Sequence, residues 1–158
     1  MKLRIQCVWV GFLTFSLFLA HSSLLVARDW KGLTPGASTR ADVIEKLGQP
    51  TKEINKGGSL SRGIVYQSKQ KVEGTRQVQI FLNEEDIVDV MHVWPQSDVS
   101  KEQIRKTYGE NFEEKLTDSF KPYLVYKEQG LVVFLRENGK TVSSLTYQRP
   151  VPKLEEVP

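Results

Sequence analysis

From Thr39 onward the chain switches between two hydrophobic periods. In TRADVIEKLGQP (39–50), Val43 and Leu47 lie four apart, the spacing of one helical face. In SKEQIRKTYGEN (100–111), Ile104 and Tyr108 repeat that spacing. Each segment carries its own start and stop. Thr39 or Ser100 caps by accepting from the amide three residues on, and Asp42 or Gln103 reaches back to close a capping box. Gly48 and Gly109 end the helices by taking a left-handed backbone that residues with a Cβ avoid.

Between and after these helices the period falls to two. GIVYQ (63–67), VQIFL (78–82) and Ile87–Trp94 in the first stretch correspond to YLVYK (123–127), LVVFL (131–135) and Thr141–Tyr147 in the second. Short β-branched and aromatic runs separated by polar turns predict antiparallel hairpins. The turns are Asn83-Glu84-Glu85-Asp86 and Arg136-Glu137-Asn138-Gly139, and weaker strands follow the helices near Lys52–Asn55 and Phe112–Lys115. At an offset of 61 residues Thr39 meets Ser100, Val43 meets Ile104, Gly48 meets Gly109, and the strand tyrosines and phenylalanines match nearby. The expected fold is therefore α+β: two tandem units of a helix plus an antiparallel meander. Their helices are expected on one face of a continuous or paired antiparallel sheet. The first unit spans residues 28–95, a degenerate second spans 96–150, and a Pro-rich tail occupies 151–158.

The N-terminus is of another kind. Lys2 and Arg4 precede an apolar run from Ile5 to Ala20, and no charge returns until Arg28. A basic start, an apolar stretch and small residues after it read as a secretion signal covering 1–27. Ala20-His21-Ser22 suits cleavage after 22, and Ala27 offers a second site. If uncleaved, the segment just reaches the roughly 20 apolar residues that a membrane anchor needs. The expected location is the periplasm, the periplasmic face of an outer membrane, or the medium if the protein is released.

Composition narrows the chemistry. The chain has 22 basic and 19 acidic residues, one Cys and two His. Net charge is +3, falling to +1 without Lys2 and Arg4, too little to mark a nucleic-acid binder. Cys7 lies inside the apolar run, so a cleaved chain has neither disulfide nor thiol. No cofactor or metal is expected, because too few Cys and His are available for ordinary ligand sets. Glu84, Glu85, Asp86 and Asp89 are dense in carboxylate but read as a hydrated turn. The loop KGGSLSRG (56–63) lacks the Lys-Ser/Thr ending of a phosphate loop. His92 is the one strand histidine. As an acid or base it would need a neighbouring carboxylate, which makes an enzyme centred on His92 the least favoured of three functions.

LTPGASTRADVIEKLGQP (33–50) resembles the SmpA/OmlA family, which includes the small lipoprotein of the bacterial outer-membrane β-barrel assembly machinery. Gly36, Thr39, Val43, Leu47, Gly48 and Pro50 carry the likeness, with Tyr66 and the hairpin from Phe81 through Val88. The chain departs from that family in three ways. One extra residue separates Gly36 from Val43, a lipid-bearing Cys is missing, and the unit is doubled. The resemblance implies helical segments on an antiparallel sheet. In tandem, such units are similar to the architecture of the β-lactamase inhibitor protein, whose bare sheet face grips a protein.

Alternation supplies the surface. Val78, Ile80 and Leu82 share one face of their strand, and Gln79 and Phe81 the other. If the aliphatic trio meets the helices, Phe81 points away from them, as Phe134 does beside Val132. Tyr66, Tyr126, His92 and Trp94 join these as candidate contacts, although the sequence leaves the faces of Tyr66, Tyr126 and His92 open. The expected function is non-catalytic binding of another envelope protein, linked to outer-membrane assembly or integrity. A secreted inhibitor of an enzyme is the alternative. Charge is uneven, with a net +4 over 51–76 and −6 over 83–118. The positive end suits weak contact with anionic lipid or cell-wall polymer. Oligomeric state is not set by the sequence.

Overall fold

The computed structural model describes residues 27–55, 62–68 and 72–150. Residues 1–26 of the expected secretion signal, with Cys7, most of the 56–63 loop and the Pro-rich tail lie outside the described residues. In chain order the elements are helix α1 (Arg40–Leu47), strands β1 (Lys52–Asn55), β2 (Arg62–Gln67), β3 (Thr75–Leu82) and β4 (Val88–Pro95), and helix α2 (Lys101–Tyr108). They continue with β5 (Glu113–Leu116), β6 (Pro122–Tyr126), a 3₁₀ turn (Lys127–Gln129), β7 (Leu131–Leu135) and β8 (Val142–Gln148).

All strands form one eight-stranded antiparallel sheet in the order β1-β2-β3-β4-β8-β7-β6-β5. This corrects the fold expected from sequence. The molecule is not two helix-plus-meander units under a helical layer. It is mostly one sheet, closed across its middle where Val90–Val93 of β4 pair with Gln148–Leu145 of β8. Each helix is eight residues long and buries a single side chain, Val43 or Ile104. Two such helices plug the sheet locally and do not cover it. The sequence pattern misled because capping boxes make a helix easy to see, whereas they say nothing about how much sheet it covers.

The local expectations fare better. Both capping boxes form: Thr39 accepts from the Asp42 amide while Asp42 accepts from Thr39 N–H, and Ser100 and Gln103 do the same. Gly48 and Gly109 do stop the helices, at φ 80° and 92°, but with ψ near 180° rather than in the left-handed helical region. That backbone is open essentially to glycine alone. The helix starts are tied to hairpin turns. Arg40 N–H donates to Asp86 C=O and Lys101 N–H to Lys140 C=O, both at 2.8 Å. The turns themselves are closed by asparagine: Asn83 Oδ1 accepts from Glu85 and Ile87, and Asn138 Oδ1 from Lys140 and Thr141.

One face of the sheet builds a single core. Ile64, Tyr66, Val78, Ile80, Leu82, Met91, Val93, Leu124, Tyr126, Val133, Leu145 and Tyr147 pack there with Leu33, Val43 and Ile104. Burial of this much aliphatic and aromatic surface, at roughly 25 cal/mol per Å² removed from water, is the main force holding the sheet. Tyr66 and Tyr126 belong to this face, which corrects their reading as partner contacts. They are 0% and 1% exposed. Their hydroxyls donate to the carbonyls of Gly48 and Gly109, at 2.8 and 3.1 Å, so each tyrosine pins the end of a helix. Burial pushes Tyr66 up to about 12 and raises Tyr126 as well. Both stay protonated donors.

Candidate functional site

The opposite face of the sheet follows from the same alternation. Register places Gly63, Val65 and Gln67 of β2 beside Phe81, Gln79 and Gln77 of β3. Gln79 faces His92 and Phe81 faces Val90 on β4. His92 faces Thr146 of β8, which faces Val132 of β7, and Phe134 faces Tyr123 of β6. None of these side chains belongs to the main core cluster, although Val65 and Thr146 are themselves buried, at 0% and 6% exposed. From β2 to β6 these positions carry Gly, Val, Gln, Phe, His, Trp, Ser, Thr and Tyr, with no Asp, Glu, Lys or Arg. Among the register-paired positions of this face, charge appears with Lys52 on β1 and Glu113 and Lys115 on β5, the two edge strands; Arg76 of β3 and Asp89 of β4 fall at bulges, outside the pairing.

A bulge lies beside each of the two phenylalanines. The register slips between Phe81 and Leu82, and again between Phe134 and Leu135. At each slip the partner strand supplies an extra residue, Asp89 or Ser143, which adds local twist. Alternation along β3 and β7 keeps Leu82 and Leu135 in the core and puts Phe81 and Phe134 on the other face.

Two aromatic groups result. The Phe81 ring meets the edge of His92 at 5.7 Å and 78°, and His92 lies 6.0 Å from Trp94. Across the seam Tyr123 stacks on Phe134 at 5.5 Å and 28°. His92 Nδ1 and Thr146 Oγ1 are 2.9 Å apart, between the two groups. Burial holds the His92 imidazole below its usual range. It is therefore a neutral donor and acceptor at neutral pH.

The sequence-derived candidates divide accordingly. The structure brings together Phe81, Gln79, His92, Trp94, Val132 and Phe134 on one face and places Tyr66 and Tyr126 on the other. Tyr123, Thr146, Gln77 and Ser144 were missed. Alternation in YLVY would have separated Tyr123 from Tyr126, because residues three apart on a strand point to opposite faces. Thr146 carries no local signal, since its partner His92 is 54 residues away.

Other candidates resolve simply. Asp86 of the acidic turn pairs with Arg62 at 2.5 Å, and Asp89 with Arg149 at 3.1 Å. Much of the negative block is paired likewise, Asp98 with Arg136, Glu110 with Arg105 and Glu114 with Lys101. These exposed pairs contribute little stability each. Among the described residues no cluster of three His, Cys, Asp or Glu is arranged to hold a metal. Cavities of about 390 Å³ lie beside Arg136 and between Trp30 and α2, and neither includes His92. No helix among the described residues is long and apolar enough to cross a membrane.

No protein-family model matches the chain, and neither does any curated protein. Among solved structures it is similar to a DUF4309 family protein (YjgB) from Bacillus subtilis. Identity is 14% over 75% of this chain and 83% of that one, with a TM-score of 0.55. The likeness is one of fold. A second similar structure is an extracellular protein containing an SCP domain from Bacillus anthracis, at 12% identity and a TM-score of 0.48, covering 70% of this chain and 43% of that one.

Proposed function

We propose that this chain is an exported, non-catalytic binding protein of the bacterial cell envelope, and that the sheet face bearing Phe81, His92, Trp94, Tyr123 and Phe134 docks a partner protein. The observation that carries this reading is the pair of aromatic groups on an uncharged face outside the core. Aromatic side chains dominate interface energies, and uncharged surroundings lower the cost of desolvating them. Export rests on the charged-then-apolar N-terminus. The narrower setting of outer-membrane assembly or integrity rests on the SmpA/OmlA resemblance of residues 33–50. A non-catalytic role accords with His92, whose hydrogen bond goes to a threonine hydroxyl and not to a carboxylate.

The test is capture from envelope extract by the wild-type protein and by the Phe81→Ala/Phe134→Ala double variant. A partner held by the wild type should be lost from the variant by at least about tenfold, since two anchors at ≥2 kcal/mol each exceed that factor. The variant should keep a cooperative unfolding transition. Equal capture by both proteins discards the face as the docking surface. If the partner proves to be a secreted enzyme that loses activity when bound, the role is inhibition.

A further inference from the structure

The edge strand β5 has little cover. All four of its residues are exposed. The exposed large hydrophobics among the described residues are Leu116, at 59%, and Phe120 in the adjoining turn, at 81%. Phe120 occupies a left-handed position, φ 58°, where glycine is the cheaper residue. Fold stability accounts for neither exposure.

We propose that β5 pairs antiparallel with β5 of a second copy of this chain, across a twofold axis at Glu114, joining two sheets edge to edge. The turn fixes which backbone groups are free to do so. Thr117 N–H donates to Lys121 C=O at 2.9 Å, so the backbone groups of Thr117 face β6. Alternation along an antiparallel ladder then turns Lys115 and Glu113 inward as well, and Glu114 and Leu116 outward. Pro122, which has no N–H, stands opposite Leu116, where no ladder bond is made.

A twofold pairing must match outward residues with outward residues, which leaves few registers. Centred on Lys115, it sets that lysine against its own copy and Leu116 against Glu114. Centred on Glu113, it sets two glutamates together and Leu116 against Glu110. Centred on Glu114, it sets Glu113, which Lys115 and Lys127 of its own chain already hold, opposite Lys115 of the second copy, twice, on the face away from the core. On the core side it sets Phe112 opposite Leu116, again twice. Opposed charges and apolar pairs across strands both favour this register. Its one like-charged pair, Glu114 against itself, is answered by Lys101, whose Nζ lies 2.7 Å from Glu114 Oε2. Phe112 already leans on Tyr126, ring centres 5.4 Å apart, so its ring is placed to receive the leucine. Phe112 N–H is taken by Glu110 C=O, which leaves four backbone bonds for the dimer: two between the Glu114 residues and two from Leu116 to Phe112.

Sedimentation of the protein, expressed with its own N-terminus and purified as the cell leaves it, tests this without reference to any partner of the aromatic face. A monomer–dimer equilibrium with Kd of roughly 1–100 µM is expected for so small an interface. Lys115→Glu or Glu113→Lys alone should weaken it about tenfold, and the two together, with Lys127→Glu to keep the pair that position 113 makes within its own chain, should restore it. Glu114→Pro should abolish it while circular dichroism and the melting transition stay as in the wild type, because its nitrogen faces away from β6. A monomer up to about 200 µM overturns the proposal, being well above the expected Kd. So does a dimer indifferent to Glu114→Pro, or a charge swap that fails to restore pairing.

Discussion

The two halves of the sheet, α1 through β4 and α2 through β8, support an aromatic at the same place by different means. In the first half Gly63 lies opposite Phe81. A Cβ at Gly63 would come within 3.3 Å of the Phe81 ring and 3.2 Å of Ile80 O, so the ring rests on bare backbone. In the second half the position opposite Phe134 is Tyr123, and the ring rests on another ring. A second contrast lies where β3 and β7 begin. Gly74 accepts from Gln96 N–H and Gly130 from Gln148 N–H, at 3.0 and 2.8 Å, and both glycines have positive φ. Yet a Cβ at Gly74 would meet open space, whereas one at Gly130 would sit 2.0 Å from Gln148 O. Similar hydrogen bonding and backbone conformation thus hide different degrees of packing, and packing decides how much a side chain costs.

The largest effect should break that second contrast open. Gly130→Ala is expected to cost more than about 3 kcal/mol, because a backbone collision adds to the left-handed strain. Gly74→Ala should cost only the strain, about 1 kcal/mol. Urea denaturation of the two variants measures both, and equal losses would mean that the backbone around Gly130 yields freely.

A middle-sized effect sharpens the first contrast. Gly63→Val should cost about 1–3 kcal/mol by overpacking against Phe81. Tyr123→Ala should cost nearer 1 kcal/mol through the lost ring pair. Near-ultraviolet circular dichroism should show the aromatic environment disturbed in each.

The smallest effect concerns the caps. In the first half the backbone N–H of Thr39, and then its hydroxyl, hold the Asp42 carboxyl below the usual carboxylate range. In the second half Gln103 makes the equivalent bond and does not titrate. A lowered folded pKa gives stability that is present above the unfolded value, near 4, and is lost as pH falls. Asp42→Ala should therefore weaken the protein at pH 7 and make little difference at pH 2, while the effect of Gln103→Ala should be flat with pH. Thermal melts across that range would show it. A flat profile for Asp42→Ala would remove the charge from the account of that cap.

Both caps were legible from sequence because their partners lie three residues apart. So were the strands, since period-two runs such as LVVFL (131–135) coincide with β7. The outward aim of Phe81 and Phe134 was legible too, because alternation within one strand separates them from Ile80 and Val133. What was not legible lay between segments. Tyr66 and Tyr126 reach glycine carbonyls 18 and 17 residues away, so their burial depends on where the helix ends sit over the sheet. The extent of the helices over the sheet could not be read from their caps.

The sequence by itself determined the helix limits, the turns and the two-faced character of each strand, because hydrogen bonds and alternation over a few residues set these whatever surrounds them. Tertiary structure alone decided that β4 pairs with β8, making one sheet and bringing His92 against Thr146 between the two aromatic groups. That choice rests on burying the cores of both halves together. Such burial is nearly proportional to area and carries no direction along the chain, so no short stretch of residues announces it.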